Sequence, residues 1–121
     1  EESIKHIYGN EDLLNILYKE AELFVFPSLA EGFGIPIIES WLNHCPVLCS
    51  NIPVFKEICG DAVIYFDPKD RTSLVSSLES ILYSSLKRDE LKKKGRLKSK
   101  EYNWDKCADE TIKIYKNFFN K

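Results

Sequence analysis

Methionine is absent from all 121 residues, and the chain opens on Glu1, a start that suits a piece cut from a longer polypeptide. No apolar run approaches the roughly 20 residues needed to cross a bilayer, so no membrane-spanning helix is expected. The opening residues are acidic and polar, so no secretory signal is expected either. Internal repeats, low-complexity tracts and flexible linkers are missing. The four cysteines, Cys45, Cys49, Cys59 and Cys107, form no Cys-x-x-Cys pair. That argues against a zinc site or a thioredoxin-like redox motif. Each lies in or beside an apolar segment, so all four are expected to be small buried hydrophobes, reduced in a cytoplasmic chain. The two histidines, His6 and His44, have no partners for a catalytic pair; His44 reads as a dipole partner at a helix C-terminus.

The residues present are 44% apolar and 12% aromatic, enough for a packed core in one domain or part of one. Charge is unevenly spread. Residues 1–86 carry 5 basic and 13 acidic side chains, whereas residues 87–100 carry 8 basic and 2 acidic. The basic stretch reads first as the solvated face of a surface helix, and second as a surface for anionic lipid. No aromatic residue interleaves its lysines, so no nucleic-acid partner is expected.

Helices and strands alternate along the chain. Asn10 caps a first helix to about residue 19, with Leu13, Leu14, Leu17 and Tyr18 at helical spacing. A buried strand over 23–26 follows, then a loop, then a helix from about 34 to 43 whose buried face is Ile37, Ile38, Trp41 and Leu42. A second strand over 46–49 leads through Ser50-Asn51-Ile52-Pro53 into a short helix over 54–58. A third strand covers 63–66. Asp70 caps a helix with Leu74, Val75, Leu78, Ile81 and Leu82 on one face. A basic helix over about 88–100 precedes a last one, capped by Asn103, that aligns Trp104, Ala108, Thr111, Ile112, Tyr115 and Phe119. The pattern predicts an α/β fold: a partial Rossmann-like parallel sheet of about three short strands flanked by about six helices. Three strands are few for such a sheet, so a partner or missing strands at its edge, and self-association, are expected.

The densest signal is Ala30-Glu31-Gly32-Phe33-Gly34-Ile35-Pro36-Ile37-Ile38-Glu39. It follows a buried strand and opens a helix at Pro36. Unpaired amides at such a junction, backed by the helix dipole, make a seat for phosphate. Gly32 and Gly34 let a phosphate approach the backbone closely. The flanking carboxylates, Glu31 and Glu39, can accept hydrogen bonds from sugar hydroxyls, and Glu39 can reach a ribose. In parallel sheets ligands bind beyond the carboxyl ends of strands, so the loop at Ser50 is expected to face the same cleft. The same residues also read as a turn, a helix start and a dipole-stabilising acid, and local chemistry alone does not separate the two.

Taken together, Phe26-Pro27-Ser28, Glu31-Gly32-Phe33-Gly34, Pro36 and Glu39 resemble the signature of the group-1 retaining, nucleotide-sugar-dependent glycosyltransferases. The later series Pro46-Val47, Ser50, Pro53, Glu57, Gly60-Asp61-Ala62 and Phe66-Asp67-Pro68 fits that family in order and spacing, as does Asn103-Trp104. The resemblance implies a GT-B architecture, of which these residues form the C-terminal part of the donor-binding domain. It implies that Glu31 is catalytic and contacts the donor hexose. It also implies that Glu39 holds the ribose, that amides at Phe33, Gly34 and Ile35 hold the diphosphate, and that Gly32 and Ser50 line the donor site. It implies no cofactor beyond a nucleotide diphosphate sugar and metal-independent transfer, in keeping with the lack of an Asp-x-Asp motif. The acceptor, a carbohydrate or lipid-linked sugar, would be held by an N-terminal domain. An Arg and a Lys that neutralise the diphosphate in the family would precede this stretch, so the chain by itself is expected to be inactive. The competing reading is a non-catalytic Rossmann-like binding or assembly module; a flavodoxin-like regulator would need an acidic cluster or flavin loop that is not seen.

Overall fold

The computed structural model of the chain describes residues 4–120; the acidic opening at Glu1 and Glu2 lies outside them. In chain order the elements are α1 (Glu11–Glu20), β1 (Phe24–Phe26), α2 (Ile35–Leu42), β2 (Val47–Ser50), α3 (Pro53–Cys59), β3 (Ile64–Phe66), α4 (Arg71–Leu82), α5 (Ser85–Ser99) and α6 (Trp104–Phe119). The three strands form one parallel sheet in the order β1-β2-β3. Phe26 pairs with Cys49, and Ser50 with Phe66, so β2 and β3 end level and β1 ends one residue earlier. The fold is α/β, a short open parallel sheet with helices on both faces.

Strand periodicity builds two cores, one on each face of the sheet. Phe24, Phe26, Val47, Cys49 and Tyr65 face a cluster with Ile37, Trp41, Phe55 and Ile58 of α2 and α3. Val25, Leu48, Ile64 and Phe66 face the other, with Ile81 of α4 and Leu91 of α5. β2 is therefore buried along its whole length, as a central parallel strand requires.

The expected caps form. Asn10 accepts from the Leu13 amide at 3.1 Å, Asp70 from Thr72 at 2.8 Å and Asn103 from Lys106 at 2.8 Å. α5 begins earlier than its basic run suggests, because Ser84 caps it by accepting from the Lys87 amide. His44 follows the C-cap of α2 at φ +60°, a left-handed position that ordinarily favours glycine.

Several burial expectations need correction. Leu42 of α2 is exposed, because the packed face of that helix is Ile37, Ile38, Ser40 and Trp41. Of the apolar residues on α1 only Tyr18 is buried. On α4, Ile81 is buried while Val75 and Leu82 stay exposed. No residue of α6 is buried, which also leaves Cys107 exposed, while Cys45, Cys49 and Cys59 are buried and all four are free thiols. α5 is more than a solvated face: it buries Leu91, Gly95 and Ser99. Among the described residues no helix is long and apolar enough to cross a membrane.

Candidate functional site

The loop over 27–34 leaves the carboxyl end of β1 and enters α2. Gly34 is the N-cap, at φ +108° and ψ +46°. A side chain there would be strained by that backbone, and its Cβ would lie 2.8 Å from Phe55 Cε1. Phe55 closes a run of aromatic contacts beneath the loop. Tyr18 meets Phe24 edge-on at 5.2 Å, Phe24 stacks on Phe26 at 5.5 Å, and Phe26 meets Phe55 at 5.3 Å. The apolar strand thus supplies a firm floor on which the helix start rests.

No side chain caps α2, and its first turn holds no acid. Pro36 removes one donor, and the Ile37 amide turns back to the Gly34 carbonyl at 2.9 Å. Among the described residues no protein acceptor takes the amides of Phe33, Gly34 or Ile35. Three N–H groups are left at the positive end of an eight-residue helix, an arrangement that suits an anion.

The two carboxylates sit on either side of this bend in the chain. Glu31 is exposed, and the Ser28 hydroxyl donates to its Oε1 at 2.7 Å, which steadies it. Glu39 is half-buried on α2. The phenol of Tyr18 lies beside it; burial first, and then the Glu39 charge, push that phenol up to about 12. Gly32 is exposed with open space around its Cα, Phe33 is half-exposed, and Ile35 is the first exposed residue of the helix.

Ser50 behaves differently. It is fully buried, and its hydroxyl donates to the Phe26 carbonyl at 3.4 Å. Its side chain joins the ends of β1 and β2 and supports the loop from within. The neighbouring β2–α3 turn does emerge at the same edge of the sheet, where the Asn51 amide donates to the Phe66 carbonyl at 2.9 Å. Among the described residues no group of three His, Cys, Asp or Glu side chains is placed to hold a metal ion.

Four supporting residues were not assigned to the site from the sequence: Tyr18 beside Glu39, Ser28 on Glu31, Phe55 under Gly34, and Tyr102, whose ring meets Phe33. Only Ser28 was within reach of sequence reasoning, through its three-residue spacing from Glu31. The others depend on contacts across the fold.

Residues 2–98 match the family described as Glycosyl transferases group 1. The chain is 35% identical over 109 residues to the O-antigen chain mannosyltransferase B of Escherichia coli, covering 90% of this chain and 29% of that protein. It is 44% identical over 68 residues to the O-antigen chain mannosyltransferase RfbU of Salmonella typhimurium, covering 56% of this chain and 19% of that one. The sucrose-phosphate synthase from Thermosynechococcus elongatus superposes with a TM-score of 0.81 at 25% identity, over 90% of this chain and 28% of that structure. The chain thus spans less than a third of the length of these relatives.

Proposed function

The chain belongs to the group 1 glycosyl transferases, a family that uses nucleotide-sugar donors, and on that footing we propose that its 27–39 segment is the donor seat of a hexosyltransferase. The observation that carries the reading is the uncapped start of α2, with three unpaired amides and a carboxylate on either side in sequence. In this reading the amides of Phe33, Gly34 and Ile35 take the diphosphate. Glu31, steadied by Ser28, takes hydroxyls of the donor hexose; Glu39 takes those of the ribose. The bond from C1 of the sugar to the diphosphate oxygen breaks, and an acceptor hydroxyl oxygen forms the new bond to C1 and gives its proton to the departing diphosphate oxygen. Amides already aimed at the departing diphosphate stabilise its growing charge without reorganising. No metal ligand is assigned, and transfer proceeds with retention.

Two relatives are named mannosyltransferases, which makes a mannosyl donor the first to test. The acceptor is a carbohydrate or lipid-linked sugar, brought by the part of the longer protein outside this chain, at the cytoplasmic side. The test is transfer by the full-length protein from GDP- and UDP-hexoses. Glu31→Gln and Glu39→Gln are expected to lower transfer about 100-fold or more, with an unchanged thermal midpoint. Unaltered transfer in both variants would place the fold in an assembly role instead.

A further inference from the structure

A loop whose amides are kept free for a ligand cannot be held by backbone hydrogen bonds through those same amides. Side-chain packing has to hold it. Two holds are local or lie directly beneath: the Ser28–Glu31 hydrogen bond and the Phe55 ring under Gly34. The third comes from far along the chain. Tyr102 lies between α5 and α6, and its amide donates to the Ser99 carbonyl at 3.2 Å. Its hydroxyl donates to the Ile58 carbonyl at 3.0 Å, which fixes it to the last turn of α3. Its ring then meets that of Phe33 edge-on, centroids 5.5 Å apart at 81°. Phe33 is the loop residue between the two glycines, where the backbone is least constrained.

We propose that Tyr102 is a positioning residue for the glycine loop: anchored on α3 through its hydroxyl, it holds Phe33 so that the amides of Phe33, Gly34 and Ile35 converge on a diphosphate. The assignment rests on the donor-seat reading above. An edge-to-face pair fixes one ring orientation in a way a general apolar contact does not. Truncating Tyr102 therefore frees the loop while leaving the sheet and α2 intact. Tyr102→Phe keeps the ring contact and loses only the anchor.

The test uses the full-length protein and two readouts. One is the rate at which chymotrypsin cuts after Phe33 under native conditions, mapped by mass spectrometry. The other is the dissociation constant for GDP and for UDP by calorimetry. Tyr102→Leu is expected to speed cleavage about tenfold and to weaken binding of the preferred nucleotide about tenfold, with Tyr102→Phe, which keeps the ring and loses the anchor, shifting both about threefold. Unchanged cleavage in a folded Tyr102→Leu protein overturns the proposal. Faster cleavage with unchanged binding overturns the claim that the hold serves the ligand. Should Tyr102→Leu not fold, Phe33→Leu removes the same contact at a half-exposed position; binding must then weaken about tenfold, and unaltered binding overturns the proposal. If the wild-type protein binds neither nucleotide, the donor-seat reading fails, and the cleavage rates alone decide whether Tyr102 holds the loop.

Discussion

Tyr18, beside Glu39, and Cys45, before β2, are both buried, and both keep their protons longer in the folded protein than they would unfolded. Burial, reinforced by the Glu39 charge, pushes the Tyr18 phenol from 10.0 up to about 12, and burial pushes the Cys45 thiol from 9.0 up to about 11. Below pH 9 neither group distinguishes the two states. As pH rises past 9, the unfolded chain loses the Cys45 proton first and then that of Tyr18, while the folded chain retains them. The unfolded state then binds fewer protons, so stability falls with rising pH. Each group contributes about 2–3 kcal/mol, lost by about pH 12. Urea titrations at pH 8, 10 and 11 are expected to show a falling midpoint. Tyr18→Phe should flatten the part above pH 10. Glu39→Gln should flatten it less, because burial is the largest cause. An equal effect would mean that the carboxylate, not burial, governs the phenol.

At the scale of elements, the contact between α2 and α5 decides how firmly the helix bearing the site is held. Trp41 of α2 is fully buried, and Gly95 of α5 lies against it; a Cβ at position 95 would come within 2.3 Å of Trp41 Cδ1. A glycine inside a helix ordinarily gains roughly 1 kcal/mol on replacement by alanine. Here the sign is expected to reverse, since overpacking against a ring with no room to move costs about 1–3 kcal/mol. Chemical denaturation of Gly95→Ala should show the loss, and Trp41→Phe combined with it should lose less than the two changes separately. The element pattern was legible because the caps at Asn10, Asp70 and Asn103 and the apolar strands are local signals. The glycine loop was legible for the same reason. What the sequence could not disclose is which apolar stripe finds cover. Trp41 and Leu42 are adjacent in the chain, yet one is buried by α5 and the other is exposed, and α6 shows a regular apolar face that nothing among the described residues covers. Ser50 escaped in the same way: its place beside the loop was foreseeable, but its burial depends on strand register.

Across the whole molecule, charge is distributed against tight donor binding by this chain. The α2 amides and dipole present about half a positive charge, against the roughly two negative charges of a diphosphate. The cations gathered on α5 are partly committed elsewhere. Arg88 pairs with Glu22 at 3.0 Å and donates to the carbonyls of Ile81 and Leu82 at the end of α4, Lys94 pairs with Asp61 and Glu90, and Lys98 pairs with Glu101. Among the described residues no ion pair involves the glycine loop. An exposed seat of this kind works in high dielectric, screened by salt over about 8 Å at physiological ionic strength. Calorimetry of the 121-residue chain with GDP- and UDP-hexoses is therefore expected to give a dissociation constant near 1 mM, about −4 kcal/mol, that weakens further as salt is raised. If Glu31 and Glu39 hold the sugar hydroxyls as proposed, they supply most of that affinity, and Glu39→Gln should abolish the heat signal. A micromolar constant for the same chain would mean that some cation of α5 reaches the diphosphate. The first to replace would then be Arg96 or Lys100, which stand near Tyr102 in the chain and for which no ion pair is seen among the described residues.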